Sequence, residues 1–429
     1  MADPAQRPLP SAPSVREKGY VVPDSGLGTG LAFEDWTQGE QVPELRWPRN
    51  LPVLARMERE DSRVLSLLAA IELPIMQTPW RIDPNGAPDE VVEFVSKNLG
   101  LPIVGDAGDA DPLPRARGRF SWPQHLAWLL NGVNVYGHSV FEQVYSYNEA
   151  DGRFWLHKLA PRPQHTIEAF ETARDGGLVA IVQKEAHSGQ TARLPVKRLV
   201  VYTRSMLPGQ WQGRSLLRAP YKNWLLKDEL IRIQAVAIRR NGMGVPVGTS
   251  PEGATQDEVN ELGRIAQQYR GGDNAGVGLP PGSDLKLLGV QGNLPDIQRA
   301  IDYHDKSIAL AGLAHFLNLS GGGSYALASV QENTFVQAIQ SFAESQRDTA
   351  QAHVIEDLVD IDFGPDVQAP RLVFDAIGSQ QDATASSLKL LVDAGLLSAD
   401  VLTEQTLRQR LSLPPLAPDA APTTEETTP

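Results

Sequence analysis

The chain has 429 residues, 41% of them hydrophobic, enough to bury a core and to divide into two or more structural units. With 52 acidic against 39 basic residues it carries a formal charge of −13, which argues against tight, phosphate-based capture of duplex DNA, although simple solubility also accounts for the sign. It has no cysteine, so disulfides, thiolate zinc sites and a cysteine nucleophile are excluded, and stability rests on packing and assembly.

Residues 1–44 are rich in Pro, Gly and Ser and read as a flexible N-terminal arm. The N-terminus lacks an apolar core of signal-peptide length, and no window approaches about 18 uninterrupted apolar residues, so a soluble, unsecreted protein is expected. From Leu51 to Ile71 the spacing of Val53, Leu54, Met57, Val64, Leu67, Leu68 and Ile71 predicts one helix, stopped by Pro74. A second helix is expected over Pro123–Leu130. From Ser139 the period changes to two, and SVFEQVYSY, FWLHKL, LVAIVQKEA and RLVVYT predict a small antiparallel sheet.

The helical period returns in SLLRAPYKNWLLKDELIRIQAVAIRRNG, an elongated helix expected to end at Asn241-Gly242. This helix is basic: Arg218, Lys222, Lys227, Arg232, Arg239 and Arg240 stand against Asp228 and Glu229. A Gly- and Pro-dense excursion follows, holding one short helix, ATQDEVNELGRIAQQY. Residues 296–316 form another helix, which ends at the triple glycine of LNLSGGGSYALASVQ. Three consecutive glycines, each weakening a helix by about 1 kcal/mol, force a loop between Phe316 and Ala326. Beyond it Phe335, Ile339, Phe342, Ala350, Val354, Leu358 and Ile361 mark a very long helix. That helix is acidic, with Glu332, Glu344, Asp348, Glu356, Asp357, Asp360 and Asp362 against Arg347 alone. A short strand, RLVFD, and a helical hairpin over residues 384–411 close the ordered part.

Signatures of catalysis are sparse. There is no HExxH, no G-x-S-x-G elbow, and no lysine after the glycines as a phosphate-binding loop requires. His304 and His315 share one helical side but stand three turns apart, which does not suit one metal ion. DxD-like pairs such as Asp360 and Asp362 suggest Mg²⁺ in principle, and a solvated acidic face explains them better. No cofactor and no metal are expected.

The order helix, excursion, helix, glycine loop, long helix resembles a bacteriophage portal protein of the Mu-like family, from roughly Leu45 to Pro415. The resemblance is carried by QGRSLLRAPYKNWLLKDELIRIQAVAIRRNGMGVPVG, by GLPPGSDLKLL, by IDYHDKSIALAGLAHFLNLSGGGSYALASVQ, and by FGPDVQAPRLVFD with LVDAGL…LSLPP. It implies an α+β portal fold with wing, stem, clip and crown regions. By position, 45–214 is wing, 215–243 a stem helix, 244–292 the clip, and 293–316 the second stem helix. The tunnel loop is then 317–325, the wing's long helix and strand 326–376, the crown 377–414, and a disordered tail 415–429. The implied function is that of a non-enzymatic subunit of a ring, usually of twelve copies, at one capsid vertex of the virion. The ring is assembled in the host cytoplasm, serves as the conduit for DNA packaging and ejection, and has no membrane role. Its partners would be other copies of itself, the major capsid protein, the terminase large subunit, a head-tail connector and the passing duplex. Ser320, Gly321, Gly322, Gly323, Ser324 and Tyr325 would form the loop facing DNA, and Arg232, Arg239 and Arg240 the basic candidates in the stem. The competing readings are a Mg-dependent DNA-processing enzyme built on Asp360 and Asp362, and a cellular scaffold or adaptor.

Overall fold

The computed structural model describes residues 40–105, 118–185, 189–243, 245–269, 276, 278–288, 296–312 and 325–377. Two units are distinguished, residues 1–375 and 376–429, and the architecture below is that of the first. The expected crown beyond Ile377 and the C-terminal tail lie outside the described residues, as does all of the arm before Glu40.

The predicted helix over 51–71 is two helices, α1 (Asn50–Glu60) and α2 (Ser62–Gln77). Asp61 breaks them apart: its backbone is extended, and its carboxylate accepts the Arg63 and Val64 N–H groups at 2.8 and 3.1 Å, the N-cap of α2. Pro74 does not stop α2. It removes one N–H from the ladder, while buried Ile71 and Ile75 on either side hold the helix on course to Gln77. Strand β1 (Trp80–Asp83), α3 (Asp89–Leu99) and α4 (Trp122–Tyr136) follow, the last running six residues beyond the expected end.

The expected single sheet is two sheets of three strands each. Strands β2 (His138–Asn148), β3 (Arg153–Arg162) and β7 (Leu199–Thr203) pair in the order β3-β2-β7, and β4 (Ile167–Thr172), β5 (Leu178–Lys184) and β6 (Thr191–Pro195) pair in sequence order. All four pairings are antiparallel. The sheets meet over Val140, Ile167, Ile181, Leu199 and Val201.

After a turn of 3-10 helix at Leu216–Arg218 comes α5 (Tyr221–Met243), which runs through Asn241-Gly242 rather than ending there. The excursion holds β8 (Val245–Thr249), α6 (Gln256–Gln268) and β9 (Asp284–Leu288), with β8 and β9 antiparallel. Helix α7 (Ile297–Ala311) returns along α5. Helix α8 (Tyr325–Ala350) is followed by a π-helical turn at Gln351–Glu356 and by α9 (Asp357–Asp362), so the predicted long helix is continuous but locally widened. Strand β10 (Arg371–Phe374) then pairs with β1, from which most of the other described elements separate it in sequence.

The core is aromatic where these elements converge. The Trp80 ring lies 5.3 Å from Trp122 and 4.6 Å from Phe374. His125 is buried against Phe141, with Nε2 3.0 Å from the Tyr202 hydroxyl, and burial pushes its pKa down to about 3. The imidazole is therefore neutral at neutral pH.

A polar thread crosses the same core. Arg204 Nη1 donates to Asn134 Oδ1 at 2.9 Å, Asn134 Nδ2 donates to Glu72 Oε1 at 3.2 Å, and the Arg204 guanidinium stands 4.7 Å over the Phe342 ring of α8. No cation reaches Glu72 directly in this thread. Burial, with a smaller contribution from the Glu58 charge, raises its pKa from 4.5 to about 7. Between those two values the folded chain holds a proton that the unfolded chain releases, so stability falls as pH rises through that window. Glu72→Gln keeps the bond from Asn134 without the charge. It is expected to raise stability by about 2 kcal/mol at pH 8 and by little at pH 4, read from urea unfolding at both pH values.

Candidate stem and channel site

Helices α5 and α7 form an antiparallel pair that projects from the sheet body toward the β8–α6–β9 excursion. Three polar contacts fix their relative height: Asn223 Oδ1 to His304 Nδ1 at 3.0 Å, Lys227 Nζ to Asp305 Oδ1 at 2.6 Å, and Gln234 Nε2 to Gln298 Oε1 at 3.1 Å. His304 is thus engaged in packing the pair, and His315 lies outside the described residues.

The centre of this framework is Lys227, which sequence reasoning counted only as one more positive charge. Its side chain is 8% exposed, and its ammonium bridges Asp305 on α7 and Asp61 Oδ2, the latter at 2.9 Å. Asp61 is 6% exposed and caps α2 with the same carboxylate. Arg63 Nε adds a bond to the Asp305 carbonyl at 3.2 Å. One ammonium therefore ties both projecting helices to the body. The far end of α7 is held equally closely: a Cβ at Gly312 would come within 2.5 Å of Leu67 Cδ1 on α2. The arm reaches the base of α5, where Glu40 pairs with Arg218 and Glu44 accepts from the Tyr221 hydroxyl.

Of the predicted basic residues, Arg232 and Arg239 are exposed and lie on one side of α5, since seven residues at about 100° each return to within about 20° of the start. Arg232 is bound to Asp228 at 2.7 Å, which spends part of its charge inside the chain. Arg239 makes no ion pair with a described residue. Arg240 falls about 100° away on the helix, and its side chain is outside the described residues. Ser320, Gly321, Gly322, Gly323 and Ser324 also lie outside them. Tyr325 opens α8, its side chain again outside the description. The structure thus gives the two ends of the glycine segment, Gly312 and Tyr325, and not the segment.

The excursion has a small core of its own. α6 starts with a capping box, in which Thr255 N donates to Glu258 Oε2 at 2.8 Å and the Thr255 hydroxyl takes the Glu258 N–H. Its one buried residue, Leu262, packs on β8 at Gly248, where a Cβ would stand 2.5 Å from Leu262 Cγ. Glycine is needed there so that the helix can approach the strand.

Asp362 has a structural partner: its Oδ1 accepts the Phe154 N–H at 3.0 Å, while Asn98 Oδ1 accepts Leu156 N–H at 2.8 Å. β3 is an edge strand, so these side chains occupy donors that would otherwise invite another strand. Asp360 is exposed beside an open polar groove shared with Arg347, Glu356 and Arg371. Among the described residues no group of three or more His, Asp or Glu is arranged to hold a metal ion, and no helix is long and apolar enough to cross a membrane.

Residues 51–413 match the family model described as the portal protein of Mu bacteriophage. Among solved structures, a chain from the virion of a native gene transfer agent particle superposes with a TM-score of 0.52 at 15% identity, covering 86% of this chain and 95% of that one. A chain from the neck of the native gene transfer agent particle, computed with C12 symmetry, gives 0.52 at 14% identity, with 90% and 99% covered. A crystal structure of an HK97-family phage portal protein from Corynebacterium diphtheriae gives 0.44 at 16% identity, with 77% and 98% covered. No curated protein matches the chain in sequence.

Proposed function

The chain belongs to the portal-protein family of bacteriophage Mu, and from that premise we propose that it forms a closed ring of twelve copies through which duplex DNA enters and leaves the capsid. It is a portal subunit, placed at a capsid vertex of a phage particle, and its family is structural rather than enzymatic. In this reading α5 and α7 are the stem, the β8–α6–β9 excursion is the clip, and the strands and α8 belong to the wing. The clip is the docking site for the terminase large subunit and later for a head-tail connector, and the wing borders the major capsid protein.

The observation that carries the reading is the order of parts: two projecting helices joined by a separate small unit, then a glycine segment leading into a long helix that recrosses the body. The C12 symmetry of the neck particle whose chain superposes on this one supports the copy number. The charge supports the conduit: each phosphate neutralised by Lys or Arg releases counterions and tightens binding, so a tube for sliding DNA works with few such contacts. Asp228 already binds Arg232, so among the basic candidates proposed for the stem Arg239, which makes no ion pair with a described residue, is the first to consider for contact with the duplex.

Native mass measurement at micromolar concentration, with averaged electron micrographs viewed down the axis, tests the ring. A dodecamer with a central hole is expected, and a strict monomer would overturn the reading. The glycine segment is proposed as the tunnel loop, with Ser320, Ser324 and Tyr325 presenting hydroxyls to phosphate. Replacing Gly321, Gly322 and Gly323 by alanine is then expected to leave ring mass unchanged while lowering packaged DNA, measured by nuclease protection. Normal packaging would reduce the segment to a connector.

A further inference from the structure

The thread through Glu72, Asn134 and Arg204 has an acid at one end, a cation at the other and no ion pair. Asn134 is fully buried and separates the two: its amide N–H is turned to the Glu72 carboxyl and its carbonyl oxygen to the Arg204 guanidinium. Among the described residues Arg204 has no carboxylate partner, and what holds its side chain besides Asn134 is the Phe342 ring on α8. A cation drawn out of water onto neutral partners gains from any carboxylate that comes within reach. One stands a single amide group away. Helix α8 has a matching deficiency. Gln346, one turn beyond Phe342, is 3% exposed and donates from Nε2 to the Thr203 carbonyl at 3.4 Å, next to Arg204. Its Oε1 is buried without a hydrogen-bond partner, a costly and uncommon state. The seat of α8 on the end of β7 is therefore incomplete in its polar contacts and leans on the contact between Arg204 and Phe342.

The groups around Glu72 decide when the balance turns. Helix α2 packs against α1, α4, α7 and α8. From α1 comes Glu58, which accepts from Asn131 at 2.6 Å and whose charge opposes ionisation of Glu72. Arg59 of α1 and Tyr136 of α4 stand beside Glu58. No described charge of α7 or α8 acts on Glu72. Burial, with a like charge nearby and only a neutral amide as donor, keeps the proton on this carboxyl until pH reaches about 7. Above that value the folded chain holds an anion one amide away from an unpaired cation.

We infer that Glu72 and α8 compete for the Arg204 guanidinium: while the carboxyl is neutral, Arg204 lies on Phe342 and holds α8 to the end of β7, and when it ionises, Arg204 turns toward Glu72 and the seat of α8 is released. Only side chains need move. The Arg204 backbone stays fixed, its N–H bonded to Gly137 O at 2.9 Å and its carbonyl to the Arg214 N–H at 2.8 Å. Helix α8 opens at Tyr325, where the glycine segment ends, so the competition sets how firmly the far end of that segment is anchored. The linkage also runs backwards: lifting α8 frees Arg204 and makes Glu72 the stronger acid. The inference concerns the subunit itself and does not rest on the ring.

Hydrogen exchange of the full chain, read by mass spectrometry at about pH 6 and about pH 8 and corrected for the intrinsic pH dependence of exchange, tests it. Between the two values protection of α8 over residues 335–346 is expected to fall by about two- to thirtyfold, the equivalent of one cation–π contact, while β2 and β7 change less. In Glu72→Gln, which keeps the bond from Asn134 without a titrating group, α8 protection is expected to be equal at both pH values. In Phe342→Leu it is expected to stand at the lower level already at the acid value, because the ring that competes for Arg204 is gone. A fall shared equally by α8, β2 and β7 would overturn the inference, since ionisation would then lower only the overall stability. A fall confined to α8 that persists in Glu72→Gln would overturn it as well, and so would α8 protection that does not change with pH in the unmodified chain.

Discussion

Replacing Lys227 by methionine is expected to destabilise the subunit by about 3–5 kcal/mol, the range seen when one member of a buried ion pair is removed. Methionine is close to lysine in length and flexibility, so packing is largely retained and the loss is electrostatic. It leaves the Asp61 and Asp305 carboxylates facing each other with no cation between them, and Asp61 is too deeply placed for water to replace it. Asp61 still caps α2 through the Arg63 and Val64 N–H groups, which offset part of the cost. A second change, Asp61→Asn, removes one of the two stranded charges and keeps a side chain suited to the cap. The double variant is therefore expected to be more stable than Lys227→Met alone, a non-additivity that urea unfolding at low protein concentration resolves. If both single changes cost the same and simply add, Lys227 is not the cation for these carboxylates. The contact also ties α5 and α7 to the body, so rings of the variant, where they form, are expected to dissociate at lower urea than the subunit difference alone accounts for.

What could be read from the chain in advance follows from the range of the interactions concerned. Helices α5 and α7 announce themselves because their signals are local: a 3.6-residue period in both and the glycine run after α7. Positions depending on partners far along the chain were misread. Asp61 sits within a continuous helical pattern, and only Lys227, 166 residues away, together with its capping bonds, makes a break there stable. In the excursion, where the sequence offered one short helix among Gly and Pro, VPVGT is a strand: β9 lies opposite, and Leu262 requires the missing Cβ at Gly248. The two sheets looked like one because alternation gives strand faces but not which strands pair. For the candidate site, the basic character of α5 was legible, whereas the Asp228 that binds Arg232 from four residues earlier was counted and not paired.

Gly213→Ala is expected to cost about 4 kcal/mol or more, far beyond the usual effect of adding one methyl group. Gly213 has φ of +59°, a conformation that costs other residues about 1 kcal/mol or more. Crowding is the larger effect. A Cβ there would stand 2.2 Å from the Gly137 carbonyl oxygen and 2.9 Å from that of Arg204. Neither oxygen can move freely, because Gly137 O accepts the Arg204 N–H at 2.9 Å and Arg204 O accepts the Arg214 N–H at 2.8 Å. Gly137 is itself at φ +93°, and its own Cβ would meet the Gln212 carbonyl at 2.8 Å. Two glycines thus face each other where the α4–β2 corner, the end of β7 and the lead into α5 come together. Gly100→Ala supplies the control: it has φ of +67° at the end of α3, and a Cβ there meets nothing within 4 Å. That change carries the conformational cost without the collision. The difference between the two variants in thermal or urea unfolding therefore measures the close approach itself, and equal losses would show that the backbones around Gly213 part readily. Because this junction leads into α5, the loss is expected to appear in that helix as well, as faster amide exchange in its first turns than in Gly100→Ala.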